Sequence, residues 1–319
     1  MSVLAIVHPT NLVGREVRET LDRRPGLGRE IRLLSTREEE VGTLAEVGGA
    51  AAFVQRYDAL SVEGVDLAFF CGSAADLEAA LGTLPPAATA LFLATDSRSF
   101  EGIEQGRPVV SGVNTEAAER GAVLLSPHPA VILLAHLLHA LRGLEPLEAV
   151  ATVVQPASMQ GNPGLDELFE QSRQIVAMTE RRPTPIFGAQ LAFNLMPTQA
   201  PAAPLAAELG RVLPGLPPVA LQVLQGGIFH SLSASLFVRL GGAANAKAVH
   251  KVLGEHPQIE LVKKPSHLGP IDAAADERVL VGAVHEEPAV PGGFWIWAVM
   301  DNLTRGGAVN AVEIAEAVL

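Results

Sequence analysis

A chain of 319 residues that is 48% hydrophobic and 18% charged holds ample apolar material for two domains of ordinary size. Its formal net charge of -12, with no densely basic segment, argues against nucleic acid as a partner. A single cysteine, Cys71, excludes an internal disulfide and any cysteine-rich zinc site. The opening "MSVLAIVHPT" lacks a basic leader or cleavage site and reads as a first strand rather than a signal peptide. The most lipid-like run, Ala130–Leu141, falls far short of the roughly 20 residues a membrane span needs. A cytoplasmic protein without membrane contact is the expectation.

Through the first third, short apolar runs alternate with helical patterns. "VLAIV" precedes a helix around "GREVRETLDRR", followed by the strand-like "EIRLLS". "VDLAFF" leads into the helical "SAADLEAALGTL", and "TALFLATD", "PVVSGVN" and "GAVLLSPHP" continue the series. Strands alternating with helices predict βαβ units, hence a parallel, doubly wound sheet.

The rhythm changes near residue 147. "LEAVATVVQPAS" is a longer strand, and "DELFEQSRQIVAM" is a helix with apolar residues at Leu168, Phe169, Ile175 and Val176. Residues 198–218 are rich in proline and alanine and read as a surface excursion with one short helix. The strand pattern of "VALQVLQGGIFHSLSASLFVRL", a helix near "AANAKAVHKVL", then "ERVLVGAVHEE" and "GFWIWAVM" predict an α+β domain with a mostly antiparallel sheet. "NLTRGGAVNAVEIAEAVL" closes the chain as a helix with Val309, Val312, Ile314 and Val318 on its apolar face.

Several residues stand where chemistry is usually placed. The first βα turn, "HPTNLVG", has the position of a dinucleotide-binding turn but keeps only Gly14. Asn11 tolerates a left-handed conformation, Pro9 has no amide proton, and His8 carries a ring where phosphates would pass. An ordinary βα turn explains the same residues. Arg37 in "STRE" suits either a ribose phosphate or solvent. Cys71-Gly72-Ser73 follows "LAFF" at the carboxyl edge of the sheet, where ligands bind in this architecture; a buried, inert thiol is the plainer reading of Cys71. His230, preceded by glycines, is the histidine best placed for proton transfer, and equally a hydrogen-bonded structural residue. His136 and His139 share a helix face at i,i+3, but no carboxylate or cysteine signature accompanies them, and no metal is expected.

In order, these stretches resemble the aspartate-semialdehyde dehydrogenase family nearly end to end. "VHPTNLVG" occupies the place of that family's GATGAVG cofactor turn, "LLSTRE" resembles its SSR segment and "PVVSGVN" its proline-valine-asparagine strand. "VQPASMQGNPGLDEL" resembles YQAVSGAG…EL, "LAFNLMP" is similar to IAFNVIP, and "GIFHS" to GHS. The longest match sets "MDNLTRGGAVNAVEIAE" against SDNLRKGAALNAVQIAE.

The resemblance implies an NAD(P)-binding Rossmann-like domain over residues 1–128 and 302–319, and a dimerisation domain over 129–301. It implies enzymes that reduce an acyl phosphate with NADPH through a cysteine thioester. The family's glutamine falls on Gln155 and its general-base histidine on His230. The nucleophilic cysteine, however, falls on Pro129, the substrate-binding arginine on Val223, and the phosphate-binding arginine on Glu101, with Arg98 out of register. The EExK segment is replaced by "APAAPLAAE". Without a thiolate there is no thiohemiacetal from which hydride can leave. Val223 cannot hold a carboxylate as a bidentate arginine does.

This combination resembles the Usg-type paralogues and implies a homodimer without dehydrogenase activity. Any residual NADP site would run through Thr10, Asn11, Leu12, Val13, Gly14, Arg37, Cys71, Gly72, Ser73 and Asn302, against the opposition of His8 and Pro9. Two alternatives remain open at this point. One is an NAD(P)-dependent oxidoreductase acting on a free carbonyl, with His230 as its acid. The other is an interaction partner of the authentic dehydrogenase.

Overall fold

A computed structural model describes residues 2–24, 26–27, 30–94, 103, 105–179, 183–198, 202–241 and 244–319. The chain separates into two compact units, Met1–His128 with Gly307–Leu319, and Pro129–Gly306.

The first unit runs β1 (Val3–Val7), α1 (Leu12–Asp22), β2 (Glu30–Ser35), β3 (Leu44–Val47), β4 (Ala50–Phe53), β5 (Gln55–Arg56), β6 (Leu67–Phe70), α2 (Ala74–Leu81), β7 (Thr89–Leu93), β8 (Arg107–Pro108) and β9 (Val123–Ser126). Its sheet has the order β5-β2-β1-β6-β7-β9-β8, with every pairing parallel. Strand side chains alternate in direction, and both faces are covered. Leu4 and Ile6 enter one core, with Leu33, Phe69 and Leu91. Ala5 and Val7 enter the other, with Leu34, Phe70, Leu77 and Phe92. Because β2 and β6 flank β1 on opposite sides, the strand order reverses beside β1. In doubly wound sheets a ligand crevice opens at such a place, beyond the carboxyl ends of the strands.

The second unit contains α3 (Pro129–Leu141), β10 (Pro146–Gln155), α4 (Gly161–Val176), β11 (Leu195–Pro197), α5 (Ala203–Val212), β12 (Val219–Gly226), β13 (Leu232–Leu240), α6 (Ala246–Glu255), β14 (Ile259–Leu261), β15 (Val279–Glu286) and β16 (Gly293–Met300). The sheet order is β11-β12-β10-β13-β16-β15-β14. It is mixed: β10 pairs in parallel with β12 and β14 with β15, and the remaining neighbours are antiparallel. Val153, Val223 and Ala234 lie in register and buried. The apolar helix α3, buried over almost its whole length, contacts β10, β13, α5 and α6. Outward positions of β10 leave Leu147 and Val150 exposed.

The chain then returns to the first unit as α7 (Asn310–Val318). The expected closing helix is not uniform, because residues 304–309 wind as a π-helix before α7 begins. Helix α4 also departs from the simple pattern. Leu168 and Ile175, two turns apart, pack inward, whereas Phe169 and Val176, one step around the helix, are exposed.

Candidate functional site

In the first unit the residues singled out from sequence gather around the turn after β1. His8 has φ 62 and is fully buried. Such a conformation is the usual province of glycine, because an L side chain there crowds the following carbonyl. Its backbone N–H donates to Leu34 O at 2.9 Å. Its Nδ1 lies 3.1 Å from Ser35 Oγ and 3.4 Å from Glu40 Oε2, and its Nε2 lies 3.2 Å from Thr36 Oγ1 and 3.8 Å from Asp76 Oδ1. Burial and the nearby Arg37 hold the imidazole pKa below its ordinary value, outweighing the upward pull of Asp76 and Glu40. Burial therefore favours the uncharged form of the ring.

Asn11 caps α1, its side chain accepting from Gly14 N–H at 2.8 Å and donating to Cys71 O at 2.5 Å. Gly14 is required by packing, since a Cβ there would stand 2.8 Å from Pro9 Cα. Thr10, Leu12 and Val13 are half-buried, and Val13 packs on the core. Arg18 reaches back from α1 to donate to Pro9 O at 3.0 Å. Gly72 is pressed against the histidine: a Cβ there would stand 2.7 Å from His8 Cδ2. Ser73 caps α2 in a reciprocal capping box with Asp76. Arg37 is engaged with Asp76 at 3.1 Å and Glu40 at 3.5 Å. Cys71 is buried, and burial raises its thiol pKa well above the ordinary value.

A dinucleotide does not fit this turn as it is built. The space beside β1 is taken by a ring, Pro9 offers no amide, and two carboxylates face whatever would enter.

In the second unit a different group assembles at the ends of β10 and β12. Gln155 and Gln225 are register partners; Gln155 Nε2 donates to Gln225 Oε1 at 2.9 Å, and Gln225 Nε2 donates to Gln155 O at 3.1 Å. Val223 lies two residues earlier on the same strand, buried. The turn carrying His230 is pinned beside Gln155, because Ala157 N–H donates to Ile228 O and Ser158 N–H to Phe229 O. His230 itself is exposed and makes no hydrogen bond to a described residue. Ser231, with φ 67, follows it and donates its N–H to Asn302 Oδ1 at 3.0 Å. Asn302 is buried, and its amide also meets Ser158 Oγ at 3.1 Å. It thus ties the residues after β10, β12 and β16 together within this unit. Pro129, first residue of α3, is buried; a Cβ on Gly306 would stand 2.8 Å from its Cβ and from Met300 Cε.

Sequence reasoning passed over the buried amides and carboxylates that hold these segments. Gln171 Oε1 accepts from Leu191 and Ala192 N–H at 2.7 and 3.0 Å, and Glu167 accepts from Ile186 and Phe187 N–H. Asn310 accepts from Ser111 N–H at 2.8 Å and donates to Val109 O and Ser126 Oγ. The i,i+4 spacing of Glu167 and Gln171 was the available signal, and it reads equally as a solvated helix face. His136 and His139 meet a third histidine, His256, whose ring packs edge-on to both with centroids 5.2 and 5.4 Å away. His256 accepts from Gln258 N–H at Nδ1, so its neutral ring carries the proton at Nε2, 3.3 Å from His139 Nδ1. Among the described residues no three His, Cys, Asp or Glu side chains could hold a metal ion. Glu101 and Arg98 lie outside the described residues. No helix among the described residues is long and apolar enough to cross a membrane.

Comparison with known proteins agrees with this architecture. The aspartate-semialdehyde dehydrogenase of Rickettsia bellii is 24% identical over 98% of this chain and 96% of its own length. A USG-1 protein homolog of Azotobacter vinelandii is 27% identical with the same coverage. Among solved structures, a probable aspartate-semialdehyde dehydrogenase from Pseudomonas aeruginosa superposes with a TM-score of 0.88 at 25% identity, covering 99% of this chain and 97% of that one. The aspartate semialdehyde dehydrogenase of Candida albicans solved with NADP shares the fold, with a TM-score of 0.75 at 14% identity over 99% of this chain and 98% of its own. The family described as "Semialdehyde dehydrogenase, dimerisation domain" matches residues 137–305, more than half of the sequence. With that match and the end-to-end relatives, the chain belongs to the aspartate-semialdehyde dehydrogenase family.

Proposed function

We propose that this chain is a catalytically silent member of its family, a homodimer that acts by binding rather than by turnover. The reading rests on the resemblance drawn from the sequence, which sets the family's nucleophile at Pro129, and it is supported by the burial of that residue at the start of α3. A pyrrolidine ring forms no thioester, so the covalent step has no attacking atom. The chain's one thiol, Cys71, belongs to the first unit, and burial keeps it protonated. Val223 removes the cation expected beside a substrate carboxylate. The exposed Leu147 and Val150 on the second sheet support self-association through that face.

The test is turnover of aspartate semialdehyde with phosphate and NADP, followed at the nicotinamide absorbance. No rate above background is expected, since loss of a nucleophile costs on the order of a millionfold. A rate of roughly 1 per second or more from homogeneous protein, abolished by substitution at His230, would defeat the proposal.

The exposed His230 favours one second reading, reduction of a free carbonyl without a covalent intermediate, which would further require that the turn after β1 admit a nicotinamide cofactor despite His8 and Pro9. A screen of small aldehydes under the same readout separates the two.

A further inference from the structure

We infer that the first unit carries its own occupant of the phosphate cradle: the His8 imidazole fills the space beside β1 that a dinucleotide's pyrophosphate needs, and the chain does not take NAD(P) ligands. The inference is independent of Pro129 and concerns a different unit.

Position comes first. His8 directly follows β1, and Cys71-Gly72 directly follows β6, so the ring lies where the strand order of the sheet reverses. Pyrophosphates bind there because a glycine turn lets the backbone approach and a helix N-terminus faces the anion.

Conformation shows that the ring is held rather than merely tolerated. A non-glycine residue at φ 62 sits in a strained, left-handed conformation. Ser35 and Glu40 at Nδ1, with Thr36 and Asp76 at Nε2, surround the ring and offset that strain. Gly72 completes the fit, because any side chain there would collide with the imidazole.

Charge points the same way. An entering pyrophosphate would meet Glu40 and Asp76, and Arg37, the cation bonded to them, is shared between both carboxylates. At short range two like charges outweigh one shared counter-charge. Among the amides, Pro9 has none and that of Gly14 is already bound to Asn11.

The test is calorimetric titration of NADPH into the wild-type protein and into the double variant His8→Gly/Asp76→Asn. Glycine suits the observed φ, and asparagine keeps the size of the α2 cap while removing one carboxylate. Wild type should give no saturable heat up to about millimolar ligand, and the variant should bind at least about tenfold more tightly. Circular dichroism establishes that the variant is folded; if it is not, His8→Asn/Asp76→Asn replaces it, since asparagine also accepts positive φ. Micromolar binding by wild type would overturn the inference. So would a folded variant that binds no better than wild type. Either result would leave the proposed catalytic silence untouched, because that rests on Pro129 and is read by turnover.

Discussion

Acid should loosen the fold through His128, the residue just before the prolyl start of α3. His128 is 2% exposed, and burial pushes its imidazole down to about 4 from an ordinary 6.5. In the unfolded chain the ring titrates near 6.5, so below that pH the unfolded state binds a proton that the folded state refuses. Stability from this residue is therefore complete above about pH 6.5 and is lost as the pH falls toward 4. The displacement amounts to at most about 3 kcal/mol, of which about 2 kcal/mol is gone by pH 5. Urea unfolding of wild type and His128→Leu at about pH 7.5, 6 and 5 measures it. Comparing slopes against pH cancels the packing cost of the substitution, which is common to every pH. Wild type should lose about 2 kcal/mol more than the variant between the extremes. Parallel slopes would mean that the buried ring is not kept neutral, and the electrostatic reasoning would fail. His136 and His256 are also held below their ordinary values, mainly by burial, so the variant should retain residual acid sensitivity.

Asn310→Ala should cost about 3–5 kcal/mol in urea unfolding, since it strands Ser111 N–H, Val109 O and Ser126 Oγ inside the first unit. Gly72→Ala should destabilise by about 1–3 kcal/mol through collision with the His8 ring and the Asp76 carboxylate. Part of that loss, the share due to the ring, should vanish in the His8→Gly background, and an additive double-mutant cycle would show that the two residues do not touch. Val150→Lys should move the protein toward monomer in sedimentation velocity at micromolar concentration. An unchanged dimer would place the association surface elsewhere.

The parallel sheet was legible because its strands are continuous apolar runs spaced by helical patterns, and residues such as Leu4 and Ala5 had only two faces to choose between. The mixed sheet was legible as a class but not in its pairings. Nothing in "VALQVLQG" says that it lies parallel to β10 while β11 and β13 run the other way. Positioning residues were the hardest to see. Asn302 invited a ligand reading because it sits in a recognisable motif, yet its amide bonds to Ser158 and Ser231 of its own unit. Gln171 drew no attention because a glutamine on a charged helix ordinarily faces solvent, and only the tertiary fold brings Leu191 and Ala192 to it. His8 was visible as a bulky residue in a glycine's place. Its positive φ and its four polar neighbours were not, because they come from residues 27 to 68 positions away.

Helix α7 has a consequence for how the chain must be made. Ala308, Ala311, Val312, Ile314 and Ala315 are fully buried in the core of the first unit, on the side shared with Leu4 and Ile6. A ribosome delivers the strands of that sheet first, the last ending at Ser126, and the residues that seal one side of it, from Ala308 on, only after the whole second unit. Pro129–Gly306 is continuous and free to mature in the interval. The part of the molecule born first is thus the last to be finished, and until then its uncovered apolar side is the natural point for a chaperone to hold.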